Sequence, residues 1–266
     1  MDVLAAEGRP VTGAAPPAPR RELVGVAFDP LTMEQAVARC VTAVDNRENL
    51  TIGVVNAAKA VRMAEDALLR DSVTSCDLVV ADGQAIVWAS RLLGRPLPER
   101  VAGIDLFTSL MAEGARRGHS AYFLGARPEV LEKVVERVRA EYPGLRVAGG
   151  RDGYFTDDDA PRVAAAIGAA RPDLLFLGMT SPKKEIFLAR YADDIKAGVV
   201  HGVGGSFDVL AGKVRRAPVP MQRLGLEWLY RFLQEPVRLG PRYLSTNTRF
   251  AWMVAKEYAN DRKKRR

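Results

Sequence analysis

The sequence predicts an α/β fold: a mostly parallel sheet with helices on both faces, followed by a C-terminal helical appendage. Three observations carry this. Short apolar runs alternate with segments at helical spacing from residue 22 to about residue 210. Five of those runs end in Asn, Asp or Gly just before a helix: VVN at Asn56, VADG at Asp82, FLGARP at Gly125, FLGMTSPKKE at Gly178 and GVGGSFD at Gly204. From about Met221 only helical patterning remains, with Pro236 and Pro241 expected as breaks.

Taken in order, residues 22–28 read as a first strand. Thr32 is placed to cap a helix running through Val44. Thr51 to Val55 is an apolar strand, followed by a helix from Ala57 to about Asp71. The run Leu78-Val79-Val80-Ala81 is short and wholly apolar, as a strand buried on both faces should be. Ile86, Val87, Ala89, Ser90 and Leu93 then mark one face of a helix. GRPLPERVAG is a loop, and Ile104 to Arg117 is helical. Ala121 to Leu124 is a strand, Pro128 opens a helix with Val130, Leu131, Val134, Val135 and Val138 on its apolar face, and Leu145 to Ala148 is a short strand. Val163 to Ala170 is helical and Leu174 to Leu177 is a strand. A helix begins near Pro182, a strand at Val199 and a last short helix at Phe207.

The expected division is an Ala/Pro-rich disordered tail over residues 1–20, an α/β domain over 21–220 and a basic amphipathic appendage over 221–266. The 266 residues, 48% hydrophobic and 27% charged, suffice for a large core without staples. Cys40 and Cys76 form neither a disulfide framework nor a zinc site, and fit a reducing cytoplasm. The N-terminal residues lack the pattern of a signal peptide, and no apolar run reaches the ~18 residues of a membrane span. The net charge of +7 is uneven. From Lys213 onward there are 14 Lys or Arg against 4 Asp or Glu, and the rest of the chain holds 25 against 28. The basicity therefore belongs to the C-terminal segment, which suits an anionic partner.

In a parallel sheet the five decorated strand ends share one rim, where open α/β sheets bind ligands. Glycines there either admit a ligand to the backbone or simply permit tight turns. Five together favour a nucleotide or sugar-phosphate site, with helix N-termini to receive phosphate. None matches G-x-G-x-x-G or the Walker pattern. No nucleophile triad and no metal-ligand spacing appears. His119 and His201 both fall at expected strand starts, away from the rim, where structural roles suit them. General-base chemistry then falls to a carboxylate: Asp82, Asp105 or Asp208. Each has a plainer reading: Asp82 or Asp105 as a helix cap, Asp208 as a cap or a partner of Lys213 or Arg215. In LGLEWLYRFLQEPVR, Trp228, Leu229, Phe232 and Leu233 make an apolar face, with Arg231 and Arg238 opposite. That is either a helix docked on the core, with Glu227 and Arg231 as an i,i+4 pair, or a membrane-surface element whose arginines meet phosphates.

The stretches VVNAAK, DLVVADGQAIVWASRLLGRPLPERVAGIDLF, FLGARPEV, YPGLRVAGGRDGYF, RPDLLFLGM, SPKKE, GVGGSFDVLAGKVRRAP and LGLEWLYRFLQEPVR, in order from about Glu22 to Arg242, resemble the WecG/TagA/CpsF family of glycosyltransferases. The resemblance implies a Rossmann-like fold and an enzyme that moves an N-acetylated hexosamine, often N-acetylmannosamine, from a UDP-sugar donor to a polyprenyl-diphosphate-linked sugar. It implies inversion at the anomeric carbon, no metal and no other cofactor. It also implies a peripheral place on the anionic cytoplasmic face of the membrane, in teichoic acid, common antigen or exopolysaccharide synthesis. Self-association through the α/β body is a further implication; nucleic acid is not an implied partner.

Carried over by motif, Asp82 is the general base, followed by Gly83 in its turn, and Asn56 shapes the same pocket. Arg100 contacts diphosphate. Gly204, Gly205 and Asp208 line the nucleotide-sugar site, near Lys184. Arg231, Arg238 and Arg242 close over the site and meet lipid-linked phosphate. Three positions depart from the family pattern: Val54 replaces a threonine, Lys184 replaces a glutamine, and Ala81 precedes the Asp-Gly turn in place of proline. The rival readings are a UDP-sugar epimerase or hydrolase using the same rim without the appendage, and a basic nucleic-acid-binding protein.

Overall fold

A computed structural model describes residues 18–223, 225–234 and 236–264; the side chains of 223, 231 and 238–244 lie outside the described set. Six parallel strands form one sheet in the order β4-β3-β8-β7-β5-β6: β3 (Leu50–Val55), β4 (Leu78–Ala81), β5 (Ser120–Gly125), β6 (Arg146–Arg151), β7 (Leu174–Gly178) and β8 (Val199–Gly202). The expected α/β class and its parallel sheet are therefore what the chain adopts.

Successive strand residues alternate between two cores, as the period-2 pleat requires. Ile52, Val80, Phe123, Phe176 and Val199 face one core, shared with α1 (Met33–Asp45), α5 (Gly103–Arg117), α6 (Pro128–Glu141) and α9 (Ser206–Leu210). On the other face, Val55, Val79 and Ala81 meet α2 (Ala57–Glu65), α3 (Ala67–Thr74) and α4 (Gln84–Leu92). Leu124, Leu177 and Val200 meet α7 (Ala160–Ala170) and α8 (Lys183–Arg190) on that same side. The chain thus leaves β3 and β7 into helices on one face, and leaves β5 and β8 into helices on the other. Crevices at the carboxyl ends of such strands are the ligand sites of open α/β sheets.

Local chemistry sets several boundaries. Thr32 caps α1 in a reciprocal box with Gln35. The single helix expected from Ala57 to Asp71 is two helices. Asp66 leaves the helical conformation, and its side chain accepts a hydrogen bond from the Leu69 amide, ending α2 and capping α3. The first expected strand is a hairpin, β1 (Arg21–Leu23) and β2 (Val26–Phe28). Val24 and Gly25 both take positive φ, which reverses the chain in two residues. Arg20, placed in the tail by composition, belongs to the body: it pairs with Asp29 at 3.1 Å and donates to the Cys76 and Asp77 carbonyls. The remainder of the expected tail, residues 1–17, lies outside the described residues.

The C-terminal segment forms α10 (Val219–Arg223), α11 (Glu227–Gln234) and α12 (Pro236–Lys264). Pro236 starts α12, a favoured place for proline. Pro241 does not break it: a prolyl residue removes one ladder bond and the helix continues on both sides. α12 sends Phe250 and Val254 into the core beside α2 and α4. Arg95 pairs with Glu257 and Asp261, and Glu257 also accepts from the Val24 amide at 2.6 Å. The far end of the basic segment is thus fastened to the α/β body.

Candidate active site at the carboxyl rim

Asp82 follows β4 directly, and its amide bonds to the Val55 carbonyl at 2.9 Å, so the end of β3 holds it. The loop after α4 returns to the same place, where the Val101 amide donates to the Ala81 carbonyl at 2.9 Å. That brings the N-terminus of α5 over Asp82, and the Gly103 amide donates to Asp82 Oδ1 at 3.1 Å. The helix-cap reading of Asp82 does not hold for the helix that follows it: Gly83 occupies the N-cap of α4 and no side chain caps it. The carboxylate instead sits at the positive end of α5, where an anion is favoured.

Asn56 caps α2 through a 3.0 Å bond from the Lys59 amide. A methyl group placed on Gly83 would stand 3.4 Å from Asn56 Cβ, so the two turns abut. A methyl group on Gly103 would stand 3.2 Å from Val54 Cγ1, which puts Val54 in the wall of the same site.

The rim glycines divide into two kinds. A Cβ on Gly125 would lie 2.5 Å from the Gly178 backbone, and one on Gly178 would lie 2.5 Å from the Phe207 ring. These two glycines serve close packing. At Gly204 and Gly205, after β8, a Cβ would meet no atom of the described residues within 4 Å. Gly204 needs glycine for its φ of +51°, whereas at Gly205 no neighbour among the described residues excludes a side chain. They lie two strands from Asp82, about 10 Å at ordinary strand spacing.

Between them is a buried polar cluster that motif reading found only in part. Lys184 Nζ bonds to Glu185 Oε1 at 2.8 Å, and its stem crosses Gly202 at the end of β8. Ser181 Oγ donates to the same oxygen at 2.9 Å, and Lys59 Nζ lies 3.7 Å from it. Burial, and then the like charge of Lys184, push the Lys59 amine down to about 8, against the pull of Glu185. Burial alone would raise the Glu185 carboxyl, but Lys184, with Lys59 and Ser181, holds it below the usual range. Lys59 was legible only as part of VNAAK. Its place depends on tertiary packing, which brings the first turn of α2 to Glu185 in α8.

His201 corrects an expectation. It lies in the third position of β8, fully buried, between Ile52 and Phe176 on the neighbouring strands. Its Nε2 is 3.0 Å from the Gly103 carbonyl oxygen. It is therefore next to the rim, because β8 is only four residues long. A carbonyl can only accept, so Nε2 carries the proton and Nδ1 is bare. Burial pushes the imidazole down to about 4, with Lys184 and Lys59 adding to the effect and the Gly103 bond opposing it. Above its unfolded value of 6.5 neither state binds a proton here. Below it the unfolded chain takes one that the folded chain refuses until about pH 4. Stability is expected to fall across that window, by roughly 3 kcal/mol from this residue. Urea unfolding at about pH 7 and about pH 4.5 should show the fall shrinking in His201→Gln; an identical fall in the variant would refute it. His119, near Asp45 at 3.8 Å, stays at the start of β5, as expected.

Four charges join the first turn of α5 to the appendage. Arg216 grips Asp105 with both terminal nitrogens and donates Nε to Glu227 Oε1 at 3.0 Å. Arg100 reaches Glu227 Oε2 at 3.3 Å and Asp105 at 3.8 Å. Burial disfavours the Arg216 charge, but its bonds to Asp105 and Glu227 outweigh that and raise its pKa above the ordinary value. Asp105 is thus no helix cap. Glu227 pairs with these two arginines, while its expected pairing with Arg231 lies outside the described residues. Arg216 was missed, though it lies in GKVRRAP. Asp208 pairs with Lys213 at 3.8 Å, its plainer reading. The side chains of Arg231, Arg238 and Arg242 lie outside the described residues. Trp228 and Leu233 of α11 are exposed, so the apolar face is not fully docked. Among the described residues no three His, Cys, Asp or Glu side chains cluster as a metal site, and no helix is long and apolar enough to cross a membrane.

The model of the glycosyl transferase WecG/TagA/CpsF family matches residues 21–264. An N-acetylglucosaminyldiphosphoundecaprenol N-acetyl-beta-D-mannosaminyltransferase of Bacillus spizizenii (strain W23) is 40% identical over 166 residues, covering 62% of this chain and 64% of its own length. A protein of the same name from Bacillus subtilis (strain 168) is 36% identical over 217 residues, covering 82% of this chain and 83% of its own. The matched part therefore spans just under two thirds of the first relative and more than four fifths of the second.

Proposed function

The chain belongs to the WecG/TagA/CpsF family of glycosyl transferases, and from that premise we propose that it moves an N-acetylhexosamine, N-acetylmannosamine first among the candidates, from a UDP-sugar to a polyprenyl-diphosphate-linked sugar. The two relatives are named for an N-acetylmannosaminyl transfer of this kind, on an N-acetylglucosaminyl-diphosphoundecaprenol acceptor. The observation that carries the reading is the Asp82 carboxylate, held at the N-terminus of α5 on the rim of a parallel sheet.

In the reaction the acceptor hydroxyl oxygen attacks the anomeric carbon, and its proton passes to Asp82. The bond from that carbon to the UDP oxygen breaks on the opposite side, so the centre inverts. The leaving diphosphate meets the backbone at Gly204 and Gly205, with Lys184 and Lys59 beside it and Arg100 at the edge. Charge on the leaving group would then be met by the chain's own cations, with no metal required. Exposed Trp228 and Leu233, with the basic residues of α12, would rest on an anionic membrane surface and present the lipid-linked acceptor.

The test is UDP release from a panel of UDP-N-acetylhexosamines and UDP-hexoses in EDTA, with and without a polyprenyl-diphosphate sugar embedded in vesicles. Acceptor-dependent release from one donor, faster on anionic than on zwitterionic vesicles, is the expected result. Release without acceptor would make the protein a hydrolase. Dependence on added divalent metal would overturn the metal-free reading.

A further inference from the structure

We propose that His201 is a positioning residue for the transfer, holding the Gly103 backbone so that its amide fixes the carboxylate of Asp82. The inference rests on the reading of Asp82 as the base.

Gly103 is the first residue of α5, and its amide donates to Asp82 Oδ1 at 3.1 Å. A glycine has the widest backbone freedom of any residue, so by itself it is a poor clamp. Here both of its polar groups are pinned. The amide is on Asp82 and the carbonyl is on His201 Nε2, at 3.0 Å. Val54 closes the remaining side, with space for hydrogen but not comfortably for a methyl group.

The histidine is not needed to satisfy that carbonyl. The first carbonyl of a helix enters the i+4 ladder, so the imidazole is a second donor on it. Nor does packing call for a histidine. The neighbours of His201 on β8's flanks are Ile52 and Phe176, and an aliphatic side chain would fill the place without burying a bare ring nitrogen. What the ring adds is a donor rigidly mounted on a central strand of the sheet. Tilting of Gly103 would move its amide off Asp82, and displacements of about 1 Å at a reacting group cost up to about 100-fold in rate.

The test compares wild type with His201→Leu and His201→Gln, using whichever donor gives acceptor-dependent UDP release. Leucine removes the donor, and glutamine keeps an N–H at a similar reach. His201→Leu is expected to lower kcat about 10-fold with the donor KM and the calorimetric affinity for UDP within about 2-fold. His201→Gln should recover most of kcat. A His201→Leu enzyme with wild-type kcat would overturn the proposal, as would equal losses in both variants accompanied by weaker UDP binding. If His201→Leu fails to fold, Gly103→Ala disturbs the same backbone against Val54 with the histidine in place. It should lower kcat in the same way, and unchanged kcat there overturns the proposal. Asp82→Asn separates the two levels: full turnover in that variant removes the base and this inference together. An inactive Asp82→Asn beside a normal His201→Leu removes only the inference.

Discussion

Asp82→Asn is expected to lower turnover by about two to four orders of magnitude while UDP affinity stays within a few-fold of wild type. The substitution is chosen for what it keeps. The amide oxygen of asparagine can still accept from Gly103, so the rim turn and the α5 N-terminus need not move. It removes the negative charge and the capacity to take a proton. Loss of kcat with preserved UDP binding, measured by calorimetry on the same preparation, is the signature of a base. Full turnover would sink the assignment. Loss of UDP binding would mean that the carboxylate organises the donor pocket.

Arg216→Met is expected to destabilise the fold by about 2 kcal/mol and to loosen α11. Breaking a buried pair strands its partner and costs about 3–5 kcal/mol, and partial exposure of these side chains lowers that. Arg216 joins Asp105 in α5 to Glu227 in α11, so its loss leaves two carboxylates facing each other with Arg100 between them. The readouts are the urea midpoint and proteolysis near Gly225, between α10 and α11. A midpoint shift equivalent to less than about 0.5 kcal/mol, with unchanged proteolysis, would show that the appendage is held by other contacts. Deleting the segment from Met221 is a poorer probe. It would also remove Phe250 and Val254 from the core and strip Arg95 of Glu257 and Asp261. A dead deletion protein would therefore not distinguish a lost acceptor site from a damaged body.

The α/β class, the parallel sheet and its rim were legible in the residue pattern alone. Those features are written in local patterns: short apolar runs, helical spacing between them, and Asn, Asp or Gly at the junctions. Strand ends marked the rim at Asn56, Asp82, Gly125, Gly178 and Gly204, because a strand end and a turn are neighbours in the chain, and the family resemblance narrowed these to Asp82, Asn56, Gly204 and Gly205. The residue-to-residue pairing lay beyond that pattern. Asp82 meets Gly103, 21 positions on; Glu227 meets Arg100 across 127. Lys59, after β3, meets Glu185, after β7, across the intervening β8. Even His201, close in the chain to the legible Gly205, read as a strand start until the length of β8 put it under α5. Glycines at Gly125 and Gly178 looked the same as those at Gly204 and Gly205, and only the space around each separated packing from access. Periodicity records which face a residue occupies. Which residue stands opposite is decided by how the layers stack, and that is where the charges and hydrogen bonds of this site are set.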